Sequence, residues 1–291
     1  MMTNLAARTI VHEDAALAAI AEHIECRAWI DLIGAAPHWL RRSTGLVVDE
    51  IGGAVMLAAP GLDHLMFNRV IGLGEQATAT PDLVAEIMGR YWDLSIENYW
   101  IHVGPYARPA RLGRMLQEHG LEPYRRSWVK LIRPAQRAQF VETALRVREA
   151  VDGDGSAIAS IVGLAFEQPQ CAAELYPALI GRRGWRLFVA ESEGAIVAAA
   201  GMFTEADMTY LAFVATRPEY RRRGAQRALL SARINAAIDA DSRWIATETG
   251  CPLGADEPNP SYRNLLWSGF RPVAIRDNYA LPGAAWGGTR K

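Results

Sequence analysis

Cysteine is scarce in this chain: three in 291 residues, Cys26, Cys171 and Cys251, far apart in sequence. That spacing fits neither a disulfide framework nor a metal knuckle, and it leads us to expect a reducing cytoplasm and no bound metal. An excess of one charge sign is also missing, since 31 Lys and Arg face 32 Asp and Glu for a formal net charge of −1. No basic surface for nucleic acid and no cationic face for an anionic membrane follow from such a balance. Asp and Glu break every apolar stretch well short of about 18 residues, so no membrane span is expected. The first residues, Met1 to Leu5, lack a charged region followed by an apolar core and do not read as a signal peptide. Two nucleotide-binding glycine patterns, the Walker loop and Gly-x-Gly-x-x-Gly after a strand, are likewise absent.

What is present is an ordinary globular balance, 50% hydrophobic and 22% charged, at a length that suggests about two domains. Apolar residues recur at helical spacing from Asp14 to Ile24. A hairpin follows, Gly45–Val48 and Ala54–Ala58, turning at Gly52-Gly53. Then come a strand Phe67–Gly72, a helix from Thr80-Pro81 to about Leu94, a strand Tyr99–Val103, a helix Pro109–His119 and a strand Trp128–Ile132. Thr80 with Pro81 is an N-cap with proline in the first turn. Residues 134 to 145 read as a connector.

The order then recurs: helix 156–166, hairpin 186–191 and 195–202, strand 209–215, helix 226–240, strand 244–249, short helix 261–267 and a closing strand 272–280. One local match supports duplication. Glu118-His119-Gly120-Leu121-Glu122-Pro123 aligns with Trp267-Ser268-Gly269-Phe270-Arg271-Pro272, an offset of 269 − 120 = 149 residues. In both, glycine ends a helix and an apolar residue opens a strand. Coincidence of a common helix stop is the alternative, and the matching order of elements weighs against it. The expected units are residues 1–135 and 146–291.

The strongest chemical signal is Phe213-Val214-Ala215-Thr216-Arg217-Pro218-Glu219-Tyr220-Arg221-Arg222-Arg223-Gly224-Ala225-Gln226-Arg227. An apolar strand ends near a proline, and a basic loop with glycine opens an amphipathic helix. The first turn of a helix has unpaired N–H groups and the positive end of the dipole. Gly224 and Ala225 let an anion approach that backbone, and Arg221 to Arg223 add cationic donors. Pro218 cannot donate to a ladder, so the strand is expected to end, splay or bulge there, freeing N–H groups near Val214 and Thr216. The plainer reading is a solvated arginine patch beside a helix cap.

This segment resembles the GNAT acyltransferase superfamily, whose pattern is Arg/Gln-x-x-Gly-x-Gly/Ala at a helix start. Arg221-Arg222-Arg223-Gly224 fits it, and Gln226 replaces the usual small sixth residue, so its side chain must point away from a phosphate. Asn259 to Asn264 and Gly269-Phe270 look like the superfamily's closing helix and strand. The resemblance covers about residues 146 to 285, and the first half resembles a degenerate copy. It implies an α/β (α+β) architecture of two tandem GNAT-like domains, each a mixed, mostly antiparallel sheet flanked by helices, with a splayed strand in the second. It also implies acetyl-CoA or another acyl-CoA as cosubstrate, bound by Val214, Thr216, Arg221, Arg222, Arg223, Gly224, Ala225, Gln226, Arg227 and Asn264. A surface asparagine is the other reading of Asn264. In the first half, Gly74 to Pro81 has no arginine and carries Glu75, so no coenzyme A is expected there.

The implied reaction is direct attack of an amine, on a small molecule or a peptide, upon the thioester. An alkyl ammonium with a pKa of about 10 must first lose a proton. All six histidines lie in the first half, so the second half needs another base. Glu248 is the candidate: strand alternation puts it on the face of Trp244 and Ala246, where partial burial would raise its pKa. An exposed strand-end glutamate is the alternative; Glu205 and Asp207 are weaker candidates. Where many family members carry a tyrosine acid this chain has Leu265. Tyr262, one turn earlier, could substitute, against a packing role. Trp185, Phe188, Phe203 and Phe213 line a pocket or fill a core. Cys251 has no activating base near it in sequence and reads as structural. A non-catalytic acyl-CoA-binding sensor or interaction module stands as the competing function.

Overall fold

A computed structural model describes residues 15–138, 141–254 and 257–287. The first five residues, Asp14 and positions 139 and 140 of the connector lie outside them. Helix α1 (Ala15–Gly34) opens the described chain and α2 (His38–Thr44) follows, ended by Gly45 in the left-handed region. Strands β1 (Val47–Ile51) and β2 (Ala54–Ala58) make the hairpin, with Gly52 and Gly53 both at positive φ in the turn. Next are β3 (Arg69–Ile71), α3 (Pro81–Asp93), β4 (Trp100–Val103), α4 (Leu112–Glu118), β5 (Glu122–Pro123) and β6 (Trp128–Pro134). The side chain of Thr80 accepts the Leu83 N–H at 3.2 Å, the cap its sequence announced.

The second half runs β7 (Arg146–Glu149), α5 (Gly155–Ala165), α6 (Gln170–Ala173), β8 (Trp185–Ser192), β9 (Ala195–Glu205), β10 (Met208–Thr216), α7 (Ala225–Asp239), β11 (Trp244–Gly250), α8 (Pro260–Trp267) and β12 (Arg271–Ala280). Short 3-10 turns intervene, one of them at Pro218–Tyr220.

The strands form one sheet in the order β1-β2-β3-β4-β12-β6-β11-β10-β9-β8-β7, with β5 beside β12. Pairing is antiparallel except for β3 with β4 and β10 with β11, the equivalent positions of the two halves. Both glycine stops close alike: Gly120 and Gly269 are left-handed, and the next N–H reaches back five residues, Leu121 to the Leu116 carbonyl and Phe270 to the Leu265 carbonyl, each at 3.1 Å. The halves also trade their last strands. β6 from the first pairs with β11 of the second, and β12 from the second pairs with β4 of the first.

Helix α1 belongs to the first half by sequence but packs on β6, β10, β11 and β12. Its neighbours in the largest core include α5 residues Ile158, Ile161 and Val162. A second core gathers α7 residues Leu229, Leu230 and Ile234 against Val197, Ala200 and Ile245. The second-half sheet is therefore covered on both faces.

Candidate active site

The parallel pairing of β10 with β11 runs only from Met208–Trp244 to Leu211–Thr247. There the Thr247 hydroxyl caps the Leu211 carbonyl at 2.9 Å. On its other side β10 keeps pairing with β9, but the register shifts between Leu211 and Val214. The two-residue bulge turns β10 away from β11 and opens the sheet. The opening begins at the bulge, seven residues before Pro218, which lies in the turn after the strand. Sequence reasoning had assigned the break to that proline.

Beyond the bulge the Arg217 N–H bonds the Val197 carbonyl at 2.9 Å. Alternation along the strand then turns the N–H groups of Thr216 and Val214 away from β9, into the gap left by β11. Two residues in the following loop, Arg222 at φ 64° and Gly224 at φ 84°, curl the backbone before α7. Helix α7 starts with no side-chain cap. Among the described residues, no hydrogen bond takes the backbone N–H groups of 222 to 227. Successive N–H groups in such a curl make a concave anion receptor. The Thr143 hydroxyl fixes the loop from behind by donating to the Arg223 carbonyl at 3.1 Å.

Arg221, Arg222 and Arg223 are exposed, and none pairs with a carboxylate among the described residues. Arg223 lies over the Tyr220 ring at 5.0 Å. Gln226 is turned to α8: its amide donates to the Ser261 hydroxyl at 2.9 Å and accepts from Asn264 at 2.7 Å. Asn264 also accepts from Arg227 at 2.9 Å, and Arg227 stacks over Trp267. The two ends of the Asn264 side chain are thus already used within the protein. A groove of about 680 Å³ runs along Val214, Thr216, Arg221, Gly224, Gln226 and Ser261.

The groove shares Phe166, Val214, Gln226 and Ser261 with a smaller cavity of about 180 Å³. Both halves build that cavity. Trp29, Met66, Arg69 and Trp128 come from the first, and Trp185, Tyr210, Phe213, Arg233 and Glu248 from the second. Glu248 stands at its wall with a side chain only 7% exposed. Burial raises its pKa; the Arg276, Lys130 and Arg69 cations pull the other way and Glu25 adds to the rise. It belongs to a buried cluster of six. Arg276 pairs closely with Glu248 and meets Glu25 at 2.8 Å and Glu22 at 3.1 Å. Lys130 pairs closely with Glu25 and meets Glu22 at 3.1 Å. Arg69 stands 3.6 Å from Glu25 and 3.8 Å from Glu248.

Tyr262 lines neither groove nor cavity; it packs half-buried beside Cys251 in the second core. Two phenols line the cavity: Tyr176, whose hydroxyl accepts from Gln168 at 2.7 Å, and Tyr210. Burial first, then Glu248 and Glu25, push the Tyr210 hydroxyl well up. Of the four aromatic candidates, Trp185 and Phe213 reach the cavity, while Phe188 and Phe203 are core. Glu205 is engaged with Arg27 at 2.9 Å and its pKa is lowered by that contact. Cys251 is half-buried, and burial raises its thiol. Sequence reasoning missed Trp29, Arg69, Tyr210 and Arg233. A signal existed for two: Arg69 interrupts an apolar strand, and Arg233 follows Leu229 by four residues on the buried stripe of α7.

Residues 166–247 match the family model described as an acetyltransferase (GNAT) domain. That stretch is similar to a GNAT domain. The GNAT match spans the bulge, the phosphate-type loop and α7. Solved structures extend the likeness to most of the chain, which has the tandem GNAT fold. A GCN5-related N-acetyltransferase from Kribbella flavida superposes with TM-score 0.63 at 22% identity, covering 91% of this chain and 96% of that one. One from Sphaerobacter thermophilus gives 0.57 at 18%, covering 88% and 92%. A tandem GNAT protein from the clavulanic acid biosynthesis pathway gives 0.57 at 14%, covering 88% and 94%. No curated protein sequence matches. Among the described residues no helix is long and apolar enough to cross a membrane, and no group of His, Cys, Asp and Glu is arranged to hold a metal.

Proposed function

We propose that this protein is an acyl-CoA-dependent N-acyltransferase that moves an acetyl group from acetyl-CoA to a primary amine. The observation that carries the reading is the unclaimed run of N–H groups from 222 to 227, in a groove that continues into a cavity walled by Glu248. The loop N–H groups would hold a pyrophosphate, with Arg221, Arg222 and Arg223 neutralising it. The N–H groups of Val214 and Thr216 would take the amide-bearing arm along the opened strand edge. Bound acetyl-CoA supplies the electrophile, an acyl thioester.

Within the cavity, Glu248 receives the proton that the acceptor ammonium must lose before attack. Its raised pKa brings it closer to neutrality and so to that task. Tyr210, whose hydroxyl has no hydrogen-bond partner among the described residues, is better placed than Tyr262 to return a proton to the leaving sulfur. The first half provides one side of the acceptor cavity and binds no coenzyme A of its own. Its equivalent helix, α3, has its first turn capped by Thr80, and Glu75 sits in the preceding loop.

Calorimetric titration with acetyl-CoA, followed by free-thiol release with a panel of amines, tests this. Binding in the micromolar range with amine-dependent thiol release is expected. Absence of binding, or an affinity unchanged when Arg221 to Arg223 become Glu, sinks it. Binding without turnover of any small amine or peptide would instead identify a sensor.

A further inference from the structure

Two arginines in the cavity wall are buried without the partners that buried arginines normally have. Arg69 is 2% exposed and lies 4.0 Å from the centre of the Trp29 ring. It makes no hydrogen bond among the described residues; its nearest carboxylate oxygens, at 3.6 and 3.8 Å, are beyond that reach. Nε and Nη2, the two nitrogens of one edge of the fork, are both without a partner. Arg233, also 2% exposed, donates Nε to the Leu229 carbonyl at 3.2 Å and Nη1 to the carbonyls of Gly201 at 3.1 Å and Phe213 at 3.2 Å. No carboxylate pairs with it. Burial pushes its pKa down to about 9, which leaves it cationic at neutral pH.

The local charges can be counted. Glu22, Glu25 and Glu248 give three negative charges, and Arg69, Lys130 and Arg276 give three positive ones. Arg233 stands apart from that cluster with carbonyl partners only, and Glu75, half-buried near Glu22 with a pKa of about 7, adds a partial negative charge to it. The donors left unused are those of Arg69. A carboxylate on the substrate would accept from them. A plain amine would not.

We propose that the acceptor is an apolar amino acid: its amine meets Glu248, its carboxylate meets Arg69, and its side chain packs on Trp29, Phe213 and Trp286, which line the same cavity. This rests on the acyltransfer reading above and narrows its substrate class. The same carboxylate could arrive on the acyl group of a dicarboxylic acyl-CoA, and the test separates the two sources.

Full-length protein with acetyl-CoA is assayed for thiol release on matched pairs: phenylalanine and 2-phenylethylamine, leucine and 3-methylbutylamine, tryptophan and tryptamine. At least one amino acid should exceed its decarboxylated partner by about 100-fold or more in kcat/KM, as when a site built to hydrogen-bond a group meets an analogue lacking it. Arg69→Gln should collapse that ratio to near unity while acetyl-CoA affinity stays within about twofold. Should Arg69→Gln fail to fold, wild-type inhibition decides: 3-phenylpropanoate should compete with the acceptor and 3-phenylpropanol should not. Equal rates within every pair, or a preference for the plain amines, overturns the proposal. So does faster transfer from succinyl-CoA to a plain amine than from acetyl-CoA to any amino acid. Thiol release from none of the six, with acetyl-CoA bound, is a different failure, that of the acyltransferase reading itself.

Discussion

Glu248 has to be an ion-pair member and a proton acceptor at once, and its surroundings show how that is reconciled. Burial alone would hold it protonated, and burial with Arg276 lets it ionise above its raised pKa. Only the ionised form accepts a proton. The rate should therefore be flat at alkaline pH and fall as pH drops through that raised value, a limb visible in kcat/KM against pH. Glu248→Gln should lower kcat by about 10²–10³ and remove the limb, with acetyl-CoA affinity unchanged. Tyr262→Phe should leave kcat within about twofold, whereas Tyr210→Phe should lower it roughly tenfold; steady-state kinetics distinguishes the two. Glu248 was legible because a strand has a period of two, which assigns its face from sequence alone. Tyr210 was not, because nothing local says which tyrosine of several strands will face a gap.

At the scale of elements, the bulge in β10 is the part on which the site turns. A Cβ added at Gly201 would stand 2.5 Å from the Phe213 ring, so β9 carries glycine where the bulged residue packs. Gly201→Ala should cost about 1–3 kcal/mol through overpacking, read as a lower thermal midpoint. At Gly224 the backbone has φ 84°, a conformation that a β-branched residue resists. Gly224→Val should weaken acetyl-CoA binding at least about tenfold, measured by titration, with far smaller change in the melting curve. Most elements could be read ahead, because hydrophobic period, caps and glycine stops are local. The exceptions have local reasons too. β7, Arg-Val-Arg-Glu, is an edge strand with one apolar residue, and α2 is too short to show a period. The bulge was expected at Pro218 but lies between Leu211 and Val214, since it answers to Gly201 on another strand and the nearby proline offered a simpler explanation.

The molecule as a whole is tied at its middle. The exchanged strands β6 and β12 and the six-member charge cluster join elements from both ends of the chain. A fragment of residues 146–291 loses β6 from between β11 and β12, and it should show no cooperative melt and no acetyl-CoA binding. Burial works to raise the pKa of Glu25, but Arg276, Lys130 and Arg69 outweigh it and hold it well below 4.5. Its contribution to stability is present above the unfolded value and is lost only as pH falls through the depressed one. Glu25→Ala should cost about 3–5 kcal/mol near neutral pH, because it removes a partner shared by three buried cations, Arg69, Lys130 and Arg276. Glu75 has the opposite sign. Burial, with Glu22, raises its pKa to about 7, so its contribution is full below about 4.5 and fades as pH rises through 7. Wild-type protein should therefore lose more thermal stability between pH 5 and pH 8 than Glu75→Gln does.

The sequence by itself determined the duplicated order of elements, the glycine stops and the loop of arginines before a helix. Each of these depends on residues within a few positions of one another, where backbone sterics and period decide. Only the tertiary structure decided that the halves share one sheet, that the first half walls the cavity, and that Glu248 keeps company with Arg276, Lys130 and Arg69. Those pairings join residues more than 20 and up to about 180 positions apart in sequence, and burial, which sets their charges and their chemistry, belongs to no single segment.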